Sequence, residues 1–211
     1  MRYQIIPVTD FQQNCTLLWS DAKAAGAIVD PGGEATRLIQ AVEDTGVHIE
    51  SILLTHAHID HVGAAAALRQ HFSVPIIGPH QSDQFWLDGL SQQAEAFGFG
   101  QVDSFTPERW LNDGDQVQIA GETLAVLHCP GHTPGHVVFF HSPSRLLIGG
   151  DVLFQGSIGR TDFPGGDHQT LLNVIRDKLW PLGDDVTVLP GHGPITTIGV
   201  ERRNNPFVGE G

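Results

Sequence analysis

Short apolar, β-rich runs broken by turn residues fill the first thirty positions, which predicts strands over 3–8, 15–20 and 26–29. The third runs into Asp30-Pro31-Gly32-Gly33, a strong turn signal. From Glu34 the period changes. Ala35, Leu38, Ile39 and Val42 recur at helical spacing over 34–44, with Gly46 placed to end the helix. A compact apolar strand over 51–54 leads into a histidine-rich segment, and an alanine-rich helix follows over 63–70. Beyond it the pattern predicts a buried strand over 74–77 and a helix over 81–90. Residues 91–110 are poorly patterned and hold Phe97, Phe99 and Phe105, so they read as a long loop that covers something. A second set of strands is predicted over 117–119, 123–127, 136–140 and 145–148, then a helix over 170–179 and a strand over 186–189.

The chain is thus strands, helices, strands, helices, without a short repeat. Two such halves bury most apolar surface by packing sheet against sheet with helices outside, in a single α/β domain over 1–211. The net charge of −13 leaves no basic stripe to displace counterions from phosphates, so nucleic acid is not the expected partner, nor is an anionic membrane surface. No window has the roughly 18 apolar residues of a membrane span. No signal peptide is evident at the N-terminus, and Cys15 and Cys129 have no metal-like spacing. Cytoplasmic residence is the expectation.

The chemistry is concentrated at the ends of apolar strands. Thr55-His56-Ala57-His58-Ile59-Asp60-His61 puts four potential ligands within six residues. They cannot share one helix face, but on a loop they can converge on one or two metals. Imidazole with carboxylate suits zinc first, and also iron or manganese. Three further strands end in the same way, at His132 of Pro130-Gly131-His132, at Asp151 of Gly149-Gly150-Asp151, and at His192 of Pro190-Gly191-His192-Gly193. A single Gly-His-Gly is usually only a turn. Four strand ends together are a site.

This order of ligands, His-x-His-x-Asp-His and then His, Asp and His, resembles the metallo-β-lactamase superfamily over nearly the whole chain. The resemblance implies a four-layered αβ/βα sandwich and two divalent metal ions. His56, His58 and His132 would hold one metal, Asp60, His61 and His192 the other, and Asp151 would bridge them. Asp60 and Asp151 are then the catalytic carboxylates. Many true β-lactamases of the superfamily offer a cysteine where this chain has Asp151, which points to the glyoxalase II branch. The segment 156–167 and the tail 190–197 are similar to the short bacterial hydroxyacylglutathione hydrolases. A small-molecule glutathione thioester is the implied substrate. The helical domain with which longer glyoxalase II enzymes contact glutathione has no counterpart in the short tail after His192. The Gly159-Arg160-Thr161-Asp162-Phe163 stretch is shared with the superfamily's persulfide dioxygenases, whose single iron would fall to His56, His132 and Asp151. That is the alternative enzyme, and a metal-bearing sensor without turnover is the alternative outside catalysis.

Arg160 is the candidate for an anionic substrate group, since guanidinium pairs well with carboxylate; a salt bridge to Asp162 or Asp167 is an equal alternative. His48, His71, His80, His141 and His168 are expected at the surface or in hydrogen bonds. His128 and His136 flank a ligand loop, where a purely structural placement is favoured over contact with a ligand. Cys129 is read as a small packing residue.

Overall fold

The computed structural model describes residues 1–20, 22 and 24–210. Strands β1 (Arg2–Val8), β2 (Gln13–Ser20), β3 (Ala25–Val29), β4 (His48–Leu53) and β5 (Ile76–Ile77) lie side by side in chain order as one sheet. The first three are antiparallel. β3, β4 and β5 run parallel, which requires the crossovers supplied by α1 (Ala35–Thr45) and by α2 (Ile59–Val62) with α3 (Ala65–Phe72). Helices α4 (Gln84–Asp88) and α5 (Leu90–Phe97) follow.

The second sheet contains β6 (Gln116–Ile119), β7 (Glu122–His128), β8 (Val137–His141) and β9 (Leu146–Gly150). A small hairpin, β10 (Leu153–Phe154) with β11 (Ser157–Ile158), precedes α6 (His168–Val174). The chain then adds β12 (Thr187–Pro190) parallel to β9, the edge strand β13 (Thr196–Thr197) and α7 (Ile198–Asn204). The strand order is β13-β12-β9-β8-β7-β6.

Strand periodicity sorts the buried side chains into three clusters, one for each space between four layers. Leu17, Ile28 and Ile52 point outward to α1 and α3, where they meet Leu38, Val42 and Leu68. Their neighbours Leu18, Val29 and Leu53 point inward and meet Val126, Val137, Phe139 and Ile148 of the second sheet. On its far side Val138, Leu147 and Val188 pack on Leu171, Ile175 and Trp180. Phe139 is fully buried between the sheets, and truncating such a ring costs about 3–5 kcal/mol. This is the expected αβ/βα sandwich. Among the described residues no helix is long and apolar enough to cross a membrane.

The main departure from expectation is α5, which occupies the first part of the presumed 91–110 loop. Leu90 and Ala94 are buried on one helical face, and Gln93 beside them is buried too. A glutamine facing inward breaks the apolar stripe that would have announced the helix. The expected 81–90 helix is a 3₁₀ turn over Gln81–Asp83 followed by α4. Strand β4 begins at His48 rather than 51, and β5 covers only two of the four residues expected. The 170–179 helix starts earlier, because Asp167 accepts a hydrogen bond from the Thr170 amide at 2.7 Å and caps it. The hairpin, β13 and α7 were not foreseen. The first two are only two residues per strand, too short to carry a period.

Candidate metal centre

The site lies where two parallel strand pairs end. β3 and β4 deliver Asp30 and Thr55-His56 to one edge, and β9 and β12 deliver Asp151 and His192. Asn14 ties the two sheets together there: its amide donates to the Gly191 carbonyl at 2.7 Å, and its side chain donates to the carbonyls of Pro190 and Gly193.

All seven residues expected as ligands come together. One nitrogen or oxygen each from His56, His58 and His132 lies within 4.8 Å of the others, and the same holds for Asp60, His61 and His192. Asp151 stands between the sets. Its Oδ1 is 3.4 Å from His61 Nε2, and its Oδ2 is 3.6 Å from both His132 Nε2 and His192 Nε2. Gly191 makes this approach possible, because a Cβ there would run into Asp151 Oδ1 and His61 Cε1.

The hydrogen bonds test whether metals fit. His132 Nδ1 donates to the Arg160 carbonyl at 2.7 Å, and His192 Nδ1 to the Phe11 carbonyl at 3.1 Å. His61 Nδ1 is 3.0 Å from Asp30 Oδ2, and His56 Nδ1 is 3.0 Å from Thr55 Oγ1. In each of these rings the other nitrogen is turned into the cluster. The buried Nε2 atoms of His56 and His61 and Asp151 Oδ1 have no hydrogen-bond partner. With its Nδ1 proton committed to Arg160, His132 presents a lone pair to His58 Nδ1 at 2.9 Å. Leaving so many buried polar atoms unpaired is costly unless a cation completes them. The donor set fits two divalent metals.

The charge states of the first set and of Asp151 agree. Burial holds His56, His58 (at about 3) and His132 below the ordinary imidazole range, so these rings are neutral with lone pairs free. Burial opposes ionisation of Asp151, but His61, His192 and His132 overcome it and keep the carboxyl well below its usual range. Burial likewise opposes protonation of His61, yet Asp151, Asp60 and Asp30 raise it.

Several supporting residues were not singled out from the sequence. Asp30 accepts from the Thr55 amide at 2.7 Å and from Thr55 Oγ1 at 2.6 Å while holding His61. It also forms a third convergent set with His56 and His61, but these bonds already engage it. Its place at a strand end beside glycines was the signal. Asp83 gave no such signal. It is fully buried and accepts from the Ala57 amide, the Gly135 amide and Thr133 Oγ1, so it clamps both ligand loops. Gln93 accepts from the Ile59 amide at 3.0 Å and fixes the same loop from α5.

His136 overturns the structural placement favoured for it. It is fully buried, its ring stacks on His56 at 4.7 Å, and its Nε2 accepts from the Asp151 amide at 2.9 Å. His128 does have a structural role, donating to the Pro134 carbonyl and stacking on His80. His141 is buried against Ser144 and Glu122, while His48, His71 and His168 are exposed. Cys129 is a buried free thiol in the core, pushed up to about 12 by burial.

A cavity of about 370 Å³ opens over the cluster, walled by Phe11, Trp86, Phe97, Phe154, Ile158 and Phe163. Arg160 is at its rim. Its guanidinium makes two bonds of 2.7 and 2.6 Å to Asp162 and lies 4.2 Å over the Phe163 ring, so the salt-bridge alternative is realised.

A buried histidine–carboxylate cluster at the strand ends of an αβ/βα sandwich defines a metal-dependent hydrolase class. The chain belongs to the metallo-beta-lactamase superfamily, whose family model matches residues 8–192. It is 53% identical over 209 residues to the hydroxyacylglutathione hydrolase GloC of Haemophilus influenzae, covering 99% of this chain and 98% of that one. Among solved structures it is similar to the BLEG-1 B3 metallo-beta-lactamase, at 40% identity and a TM-score of 0.91 over 98% of this chain and 99% of that one. It is also similar to TTHA1623, solved in a di-iron-bound form, at 36% identity and a TM-score of 0.88 over 97% and 99% of the two chains.

Proposed function

We propose that this chain is a thioester hydrolase that converts an S-2-hydroxyacylglutathione, such as S-lactoylglutathione, to glutathione and a 2-hydroxy acid. The observation that carries the reading is the pair of three-residue ligand sets joined by Asp151, with imidazoles anchored through their other nitrogens. The full-length similarity to a hydroxyacylglutathione hydrolase supports the substrate class.

In this reading His56, His58 and His132 would hold one divalent metal and Asp60, His61 and His192 the other, with Asp151 standing between the two sets. When bound, such a pair supplies Lewis acidity and makes water a usable nucleophile near neutral pH. The chain's own residues do the rest. Burial keeps the three histidines of the first set neutral, and Asp60 and Asp151 bring negative charge to balance the cations. Attack on the acyl carbon forms one C–O bond and breaks the C–S bond. The thiolate leaves and takes a proton from solvent, so no protein nucleophile or general acid is required. The donor chemistry suits zinc, and a relative with two irons makes iron a direct competitor. The free buried cysteines and the thiol product both suit a cytoplasmic setting.

The test is a panel assay of the protein stripped and reloaded with zinc, iron or manganese. S-lactoylglutathione should be hydrolysed, and a chelator should abolish turnover. Oxygen consumption with glutathione persulfide and no thioesterase activity would instead establish the dioxygenase. Similarity to a B3 metallo-beta-lactamase gives a second hydrolytic reading, decided in the same panel by a cephalosporin.

A further inference from the structure

The cavity above the ligand cluster is two-sided. On one side Trp86 from α4 and Phe163 from the 159–167 loop form an edge-to-face pair, with ring centroids 6.2 Å apart. Both rings also meet His58, at 4.7 and 5.1 Å, so the pair stands beside the inner ligand set. Trp86 is partly buried and packed against the core, which makes this wall rigid. On the other side Phe11 and Phe97, both more than 40% exposed, form the open rim. Among the described residues the only Lys or Arg lining the cavity is Arg160, already held by Asp162.

Glutathione is long and carries two carboxylates and an ammonium group; the carboxylates gain nothing from contact with Trp86 or Phe163, and a cation, the Arg160 guanidinium, already lies 4.2 Å over the Phe163 ring. The part of the substrate with no charge is the acyl side chain. It is also the part that must lie near the cluster, because its carbonyl is the reacting group. We infer that Trp86 and Phe163 form an acyl pocket that selects thioesters of 2-hydroxy acids with a large apolar, especially aromatic, side chain over lactoyl. This rests on the thioesterase reading above. A lactoyl methyl covers little of the half-buried Trp86 and Phe163 rings. A phenyl group in its place stacks on one or packs edge-on to the other, the geometries aromatic rings prefer. A gain on the order of tenfold in kcat/KM is what apolar pockets deliver for such an addition. It should come through KM, since the contact is equally strong before and during reaction.

The experiment compares S-mandeloylglutathione with S-lactoylglutathione on the metal-loaded full chain, and titrates mandelate against lactate by calorimetry. The expected result is a kcat/KM ratio of about ten or more favouring mandeloyl, with mandelate binding correspondingly tighter than lactate. The ratio should fall towards one in Trp86→Ala and in Phe163→Ala, whatever either variant does to the absolute rate. The second variant alters a loop residue rather than a core-packed one, so it keeps the test available if the first folds poorly. A ratio at or below one in the parent protein, or a ratio unchanged in both variants, overturns the acyl pocket and leaves the hydrolase reading standing. If neither thioester is hydrolysed, the hydrolase reading fails and the pocket assignment fails with it.

Discussion

Replacing His136 separates what holds Asp151 in place from what merely fills space. The His136 ring is fully buried, and its Nε2 accepts the Asp151 amide at 2.9 Å. Gly150 is left-handed at φ 48°, and a Cβ there would lie 2.6 Å from the same Nε2, so strand end and ring are fitted to each other. In His136→Phe the volume is kept and the acceptor is lost. The buried Asp151 N–H is then unpaired, at about 1–3 kcal/mol. In His136→Ala the same bond is lost and a void of about 60 Å³ is left, which at ~24 cal/mol per Å³ adds about 1.5 kcal/mol. Urea unfolding of the metal-free proteins should therefore rank parent, Phe variant and Ala variant in falling stability. Metal affinity should fall about 10–100-fold in both variants, because losing a hydrogen bond that orients a ligand usually costs that much. A Phe variant that binds metal as tightly as the parent would show that the amide bond does not position Asp151.

Three further outcomes follow from the same geometry. His58→Ala and His192→Ala, one from each ligand set, should each abolish thioester hydrolysis and lower bound metal; near-normal turnover of His192→Ala would point to a one-metal enzyme. Asp151→Asn should lose metal as well as rate, because a neutral amide cannot balance two dications, and elemental analysis showing two full equivalents would remove the bridging role. The third outcome concerns the metal-free protein, which should lose stability as pH falls from about 6.5. Burial holds His56, His58 (at about 3), His132 and His136 low, so the unfolded chain binds more protons in that window and stability rises with pH. Asp83, pushed up by burial to about 6, opposes this between about pH 4 and 6 but is one group against four. His61, raised by its carboxylates, sheds its contribution above 6.5, which leaves a maximum near neutrality. Stability that is flat from pH 4 to 7 would contradict this account.

The sequence by itself marked the candidate ligands, because they cluster at and just past the ends of apolar strands and a strand end is a local feature. Its binary pattern also carried the layered sandwich, since Leu17 and Leu18, or Leu146 and Leu147, must face opposite sides of their sheets. Tertiary structure decided what surrounds the ligands. Asp83 lies some twenty-five residues from Ala57 and about fifty from Gly135, so only folding makes it the clamp for both ligand loops. Gln93 is polar on an inward face, which hid α5 until Ile59 supplied its partner. His136 and Arg160 each had two readings that local pattern could not separate. The fold put the Asp151 amide against one and the Asp162 carboxylate against the other. Hydrophobic periodicity reports which side of an element faces the core. Hydrogen bonds between distant polar groups exist only after the layers have closed, and in this protein they are what aims the candidate ligands.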